Sequence, residues 1–191
     1  MSIIKPLQHL TTMLICCLMP YTAAAETMTE SDPRVTESRM AVKAFGKELI
    51  TQLKQALEEA GPVKAIKVCN SEAPEIAAKL SNQYDWKIGR TSLKTRNPKN
   101  NPDEWETKVL QQFEQRKQNG EDISTLESYE TTAKGFRYMK AIPTKGLCLT
   151  CHGDAIPESV KATLVELYPE DKATGFKAGD IRGAFSIIQN K

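Results

Sequence analysis

Cys148-Leu-Thr-Cys151-His152 is the segment of this 191-residue chain whose residue types and spacing carry chemistry most directly. Two thiols three positions apart, followed at once by an imidazole, make the C-x-x-C-H pattern of c-type haem attachment. The cofactor explains the spacing. Thiols so placed add to the two vinyl groups on one edge of a porphyrin, and the adjoining histidine is then held at the iron as proximal ligand. Gly146 and Gly153 flank the segment, where a missing Cβ would let the backbone run close to a macrocycle. Three other chemistries compete for these residues. A structural Cys148–Cys151 disulfide would leave Cys69 odd. A thioredoxin-like pair expects the motif to follow an early strand and open a helix, whereas here it lies late in the chain, beside a hairpin. A zinc ion on Cys69, Cys148, Cys151 and His152 would need adjacent residues as two ligands of one tetrahedron, without the usual paired knuckles.

The N-terminus supplies a compartment that suits haem attachment. Lys5 gives a short positive region, Leu10 to Met19 is apolar, and Ala23-Ala24-Ala25 is a small-x-small cleavage signal. Residues 1–25 are therefore expected to be a signal peptide, removed after Ala25, and the protein is expected in the periplasm. A lipid-modified Cys17 is disfavoured by Cys16 in front of it. Cleavage would remove His9, Cys16 and Cys17, leaving Cys69, Cys148, Cys151 and a single histidine, His152. An odd number of thiols in an oxidising compartment needs a reason.

The single histidine also limits the other side of an iron. Ligation by two histidines of one chain is excluded after cleavage, and no methionine follows His152. Met139 precedes the motif too closely to swing across. Cys69 remains as a candidate, because iron lowers a thiol's pKa and thiolate is a good ligand. Equally, a buried cysteine packs as a small hydrophobe with no other role.

The elements that must position these groups follow from periodicity. Glu26–Val35 is polar, and a flexible lead-in is expected over 26–37, before a domain spanning 38–191. Val42, Phe45, Leu49, Leu53 and Leu57 recur at helical steps over Thr36–Ala60. Gly61-Pro62 ends that helix and starts a short second one reaching Cys69; Asn70-Ser71 is expected to break it and open a third through Ile76 and Leu80. Residues 86–91 alternate as a strand. After a turn-rich loop, Asn101 is expected to cap a helix, closing a box with Glu104. That helix would present Trp105, Val109 and Phe113 to the core and stop at Asn119-Gly120. Residues 126–131 and 136–142 make a hairpin, 157–168 a helix, and 184–188 a last strand. This order implies an α+β domain with an antiparallel sheet.

Composition excludes several classes. The chain is 40% hydrophobic and 26% charged, with a formal net charge of +2, which suits one folded domain and excludes low-complexity disorder. Its charges are interspersed, so no nucleic-acid footprint exists. No membrane span is expected once the signal peptide is gone.

Several segments, in this order, carry a resemblance. They are Lys67-Val-Cys69-Asn-Ser-Glu-Ala-Pro74, Arg90-Thr-Ser-Leu-Lys-Thr-Arg96-Asn-Pro98 with Asn101-Pro102-Asp-Glu-Trp105, Tyr138-Met-Lys-Ala-Ile142, the haem motif, and Gly175-Phe-Lys-Ala-Gly179-Asp-Ile-Arg182-Gly183. Together they resemble a family of single-haem c-type proteins with a PAS-like fold, formerly a domain of unknown function. Its members stand alone or form the sensing part of signalling proteins. The resemblance implies a PAS-like antiparallel sheet flanked by helices and a His/Cys axial pair, matched here by His152 and Cys69. Arg90 and Arg96, with Lys94, are either solvated charges or partners of haem propionates. Trp105 and Phe113 suit the core, and Tyr138 suits either core or haem.

The expectation is thus an exported protein with one covalent haem c and no catalytic residue, responsive to redox state or a diatomic gas. Reduction weakens an Fe–thiolate bond and raises the sulfur's proton affinity, so Cys69 would leave as a thiol and free a position on the reduced iron for a diatomic gas. An unidentified redox or signalling protein would read the change. The alternative is a periplasmic electron-transfer cytochrome c, which keeps both ligands in both states.

Overall fold

Asp32 opens the first element of the computed structural model, which describes residues 32–190. The expected signal peptide and residues 26–31 of the expected lead-in lie outside the described residues. Helix α1 (Pro33–Tyr84) starts where the Asp32 carboxylate accepts the Arg34 backbone N–H and Pro33 takes the first helical position. Residues 33–37 are therefore helical, and the lead-in expected to reach residue 37 ends at the cap. The helix is two arms. Ala60 and Gly61 leave helical geometry, Gly61 with φ 73°, where the sequence placed a break. The expected second break at Asn70-Ser71 is absent. The Ser71 hydroxyl donates back to the Lys67 carbonyl at 3.1 Å instead of capping a new helix, and Pro74 is carried inside the arm. Burial of Ala73, Ile76 and Leu80 holds that arm together despite the proline.

The strands β1 (Lys87–Thr91), β2 (Glu127–Thr132), β3 (Gly135–Pro143) and β4 (Ile181–Asn190) form one antiparallel sheet in the order β1-β4-β3-β2. Alternation sorts side chains to its two faces. Phe136, Tyr138 and Ile187 meet both arms of α1 through Phe45, Leu49, Ile76 and Leu80. Met139, Ala141 and Ala184 meet α2 (Glu104–Gln118) through Val109, Leu110 and Phe113. The sheet is thus flanked by helices, as expected. The cap of α2 differs from expectation: Asp103 and Glu106 close the box, because the Asn101 amide oxygen is already taken by the Thr95 hydroxyl at 2.7 Å. Short α3 (Leu149–His152) and α4 (Glu158–Leu167) follow the hairpin. α4 packs Val160 and Leu164 against Ile66 of α1 and against Cys151. No helix among the described residues is long and apolar enough to cross a membrane.

Candidate functional site

The Cys148–His152 motif occupies a 3-10 turn, Gly146–Cys148, running into α3. Its two ends are tied to the loop that precedes β4. Thr144 N–H donates to Asp180 O at 2.7 Å and Gly179 N–H to Thr144 O at 2.9 Å. Beyond the motif, Phe176 N–H donates to His152 O at 2.9 Å and Gly175 N–H to Gly153 O at 3.1 Å. Gly153 is needed for the turn itself, since a Cβ there would stand 2.7 Å from the Leu149 carbonyl oxygen, whereas a Cβ on Gly146 would meet nothing. The three cysteines Cys69, Cys148 and Cys151 are half-buried and unpaired. Among the described residues no three His, Cys, Asp or Glu side chains are gathered as a metal cluster.

His152 has a fixed tautomer. Its Nδ1 lies 2.7 Å from the Ala173 carbonyl oxygen, which can only accept, so the proton sits on Nδ1 and Nε2 is unprotonated. Burial, then the charges of Arg182 and Arg96, hold the imidazole pKa well below its ordinary value, so the ring is neutral. This is the form that ligates a metal through Nε2. The Nε–H of Arg182 points at that nitrogen from 3.4 Å. Arg182 also donates to Ser92 Oγ and Lys94 O, each at 3.3 Å, and lies over the Phe176 ring at 5.2 Å. Phe176 in turn meets the His152 ring edge-on, with centroids 6.2 Å apart.

Cys69 comes from the second arm of α1, one turn after Ile66. Burial raises its thiol pKa, while Arg90, Arg96 and Arg182 pull it down. The same three arginines bear on His152, and Cys151 feels the charge of Cys69. The helix arm and the motif therefore share one electrostatic environment. Arg90 is desolvated at the Phe45 ring, 5.5 Å from its centroid, and burial lowers its pKa. Arg182 is pushed down to about 10 by burial and by the charges of Arg96 and Arg90.

Arg96 differs from the other two. Its Nε donates to Asp171 Oδ2 at 3.1 Å, and its Nη2 to Cys151 O at 2.6 Å and Ala173 O at 3.2 Å. The guanidinium is engaged with protein acceptors on both edges. Lys94 reaches the Thr174 carbonyl and sits 4.6 Å over the Phe176 ring. Tyr138 stands apart. It is fully buried between the sheet and α1, and its hydroxyl donates to Glu127 Oε2 at 2.7 Å; burial and Glu127 raise its pKa. The structure thus gathers Cys69, Cys148, Cys151, His152, Arg90 and Arg96, and places Tyr138 in the core. Sequence reasoning missed Arg182, Phe176, Asp171 and Ala173. The Gly175–Gly183 segment that carried the resemblance contains Arg182, but its residues gave no sign that this arginine turns to the histidine.

A sequence model of the Tll0287-like family matches residues 21–190. Among solved structures, the cyanobacterial heme-protein Tll0287 matches with a TM-score of 0.68 at 23% identity, over 85% of this chain and 98% of that one, a likeness of fold. Comparison with curated proteins finds no significant match.

Proposed function

The chain belongs to the Tll0287-like family, and on that premise we propose that it is an exported protein holding one covalently attached haem c and responding to redox state or a diatomic gas. The observation that carries the reading is His152: neutral, with its Nδ1 proton locked on Ala173 and its Nε2 unprotonated and met only by a long contact from Arg182, one residue from a free thiol. The donor set fits the group. Cys148 and Cys151 supply two thiols a helical turn apart, each adding its S–H across one vinyl. His152 and Cys69 supply one nitrogen and one sulfur ligand. Arg90 and Arg182 supply positive charge for two propionates. Bound haem contributes a one-electron iron couple and a coordination position when a ligand leaves.

The chain's own residues do the rest. Ala173 fixes the tautomer of His152, and Arg182 gives up its contact with Nε2 when that nitrogen ligates. Phe176 and Tyr168, both buried, keep water from the site. With haem bound, Cys69 would be the ligand that leaves on reduction, and its Sγ would take up a proton and free its helix arm to signal. The role is binding and sensing rather than catalysis. Periplasmic export rests on the apolar stretch and Ala23-Ala24-Ala25.

The test is a set of spectra on protein matured with the c-type attachment machinery. Haem should resist acid-acetone extraction, and ferric protein should give low-spin thiolate-type paramagnetic resonance that Cys69→Ala loses. Dithionite-reduced protein should bind carbon monoxide. Extractable haem would overturn attachment, and an unchanged ferric signal in Cys69→Ala would overturn the ligand assignment. Ferrous protein that stays six-coordinate and refuses carbon monoxide would make it an electron carrier instead.

A further inference from the structure

We propose that Arg96 is a positioning residue that sets the electron-donating strength of His152 through the carbonyl of Ala173. The proposal rests on the haem reading above. Ala173 O accepts two donors at once: His152 Nδ1–H at 2.7 Å and Arg96 Nη2 at 3.2 Å. The same Nη2 holds the carbonyl of Cys151, the residue bonded to His152, at 2.6 Å. One guanidinium therefore grips the backbone on which the imidazole is mounted and the acceptor at which its ring proton ends. Asp171 keeps the grip in place. Its Oδ2 accepts from Arg96 Nε at 3.1 Å and its Oδ1 from Ala173 N–H at 2.8 Å, and both side chains of this ion pair are about one-tenth exposed (11% and 10%).

The consequence is electronic as well as mechanical. A good acceptor on Nδ1–H pulls the ring toward imidazolate and makes Nε2 a stronger donor to its metal. A cationic donor on the same carbonyl draws away part of that acceptor strength. Arg96 thus restrains the donation of His152. Without it, Ala173 O would accept more strongly from Nδ1–H, Nε2 would become more electron-rich, and ferric iron would be favoured over ferrous. Losing the nearby positive charge acts in the same direction. The two effects separate in Arg96→Lys, which keeps the charge but cannot reach Ala173, Cys151 and Asp171 together.

The test has two arms. In the full-length apoprotein, nitrogen-15 histidine resonances, with those of His152 identified by their loss in His152→Gln, read the Nδ1–H bond directly. Arg96→Gln should move the Nδ1 proton downfield, as its bond to Ala173 tightens. In the holoprotein, spectroelectrochemistry should give a more negative potential for Arg96→Gln and an intermediate one for Arg96→Lys. A purely structural clip would lower the unfolding midpoint and leave both readings at wild-type values, overturning the proposal. So would Arg96→Lys at the wild-type potential, because charge alone would then explain Arg96→Gln. Should the wild type carry no covalent haem, the function proposed above fails, while the apoprotein arm still decides the hydrogen-bond relay.

Discussion

The two halves of the sheet handle charge in opposite ways. On the β2–β3 side, the two cations on the strands, Arg137 and Lys140, face carboxylates. Arg39 and Lys140 share Glu127, and Arg137 meets Asp103 at 2.6 Å and Glu106 at 3.7 Å. Glu106 also accepts from the buried Ser186 hydroxyl at 2.6 Å, and Arg137 lies 4.4 Å over the Trp105 ring. On the β1–β4 side, Arg90, Arg96 and Arg182 converge, and among the described residues only Asp171 forms an ion pair with any of them. The first arrangement is complete in itself. In the second, burial lowers the pKa of Arg90, and burial together with the charges of Arg96 and Arg90 lowers that of Arg182. The contrast separates a polar cluster whose charges are paired within the fold from one that the proposed haem propionates would complete.

The largest expected effect breaks the waiting half outright. Cys148→Ala with Cys151→Ala should leave all haem extractable by acid-acetone, while circular dichroism shows the fold retained. Next comes the balanced half. Glu106→Ala removes the partner of Ser186 and one closing arm of the α2 capping box, and should cost about 3 kcal/mol in urea unfolding. The same measurement on Arg90→Met in the apoprotein should show a change of roughly 1 kcal/mol or less, of either sign, because one of three mutually repelling charges is lost along with its packing on Phe45. A cost near that of Glu106→Ala would mean that the β1–β4 half is as balanced as the other, and that Arg90 needs no anion.

Much of this was legible in the sequence, and the exceptions share a cause. The motif, the Gly61-Pro62 break, the hairpin and the α2 face are local: each is written in residues a few positions apart, and each is found where expected. The β4 strand runs longer than the apolar core of its sequence, because pairing with β3 continues through Gly183 to Ile181, across an irregularity at Arg182, and through Gln189 to Asn190 at the other end. The misses depend on long-range contacts. The continuity of α1 past Asn70-Ser71 is held by Ala73, Ile76 and Leu80 against the sheet, and local propensity does not weigh that burial. Arg182 meets the histidine, and Asp171 holds Arg96 and Ala173 beside it, only because the segment before β4 folds back on the motif. Tyr138 sat in a segment that carried the resemblance, and its alternation with Met139 was the signal that it belonged to the α1 face.

The smallest effect sharpens the comparison by titration. Hydrogen bonding from Arg39 holds the Glu127 carboxyl below its ordinary pKa, assisted by the Tyr138 hydroxyl. Its folded value therefore lies below its unfolded one. Glu127 contributes stability that is fully present above the unfolded pKa and is lost as pH falls through the folded pKa. Wild-type stability should decline on acidification below the ordinary glutamate range, and Glu127→Gln should flatten part of that decline. The flattening should be less than about 1 kcal/mol, because Arg39 is half-exposed and solvent screens the pair. Tyr138→Phe tests the other donor. Without its hydroxyl, Glu127 loses one bond favouring the charged form, so the acid limb should move to higher pH while stability near neutrality drops by about 1 kcal/mol. If Tyr138→Phe instead leaves the acid limb in place and shifts the haem spectrum, the tyrosine acts on the cofactor, and the division between a self-sufficient half and a waiting half does not hold at β3.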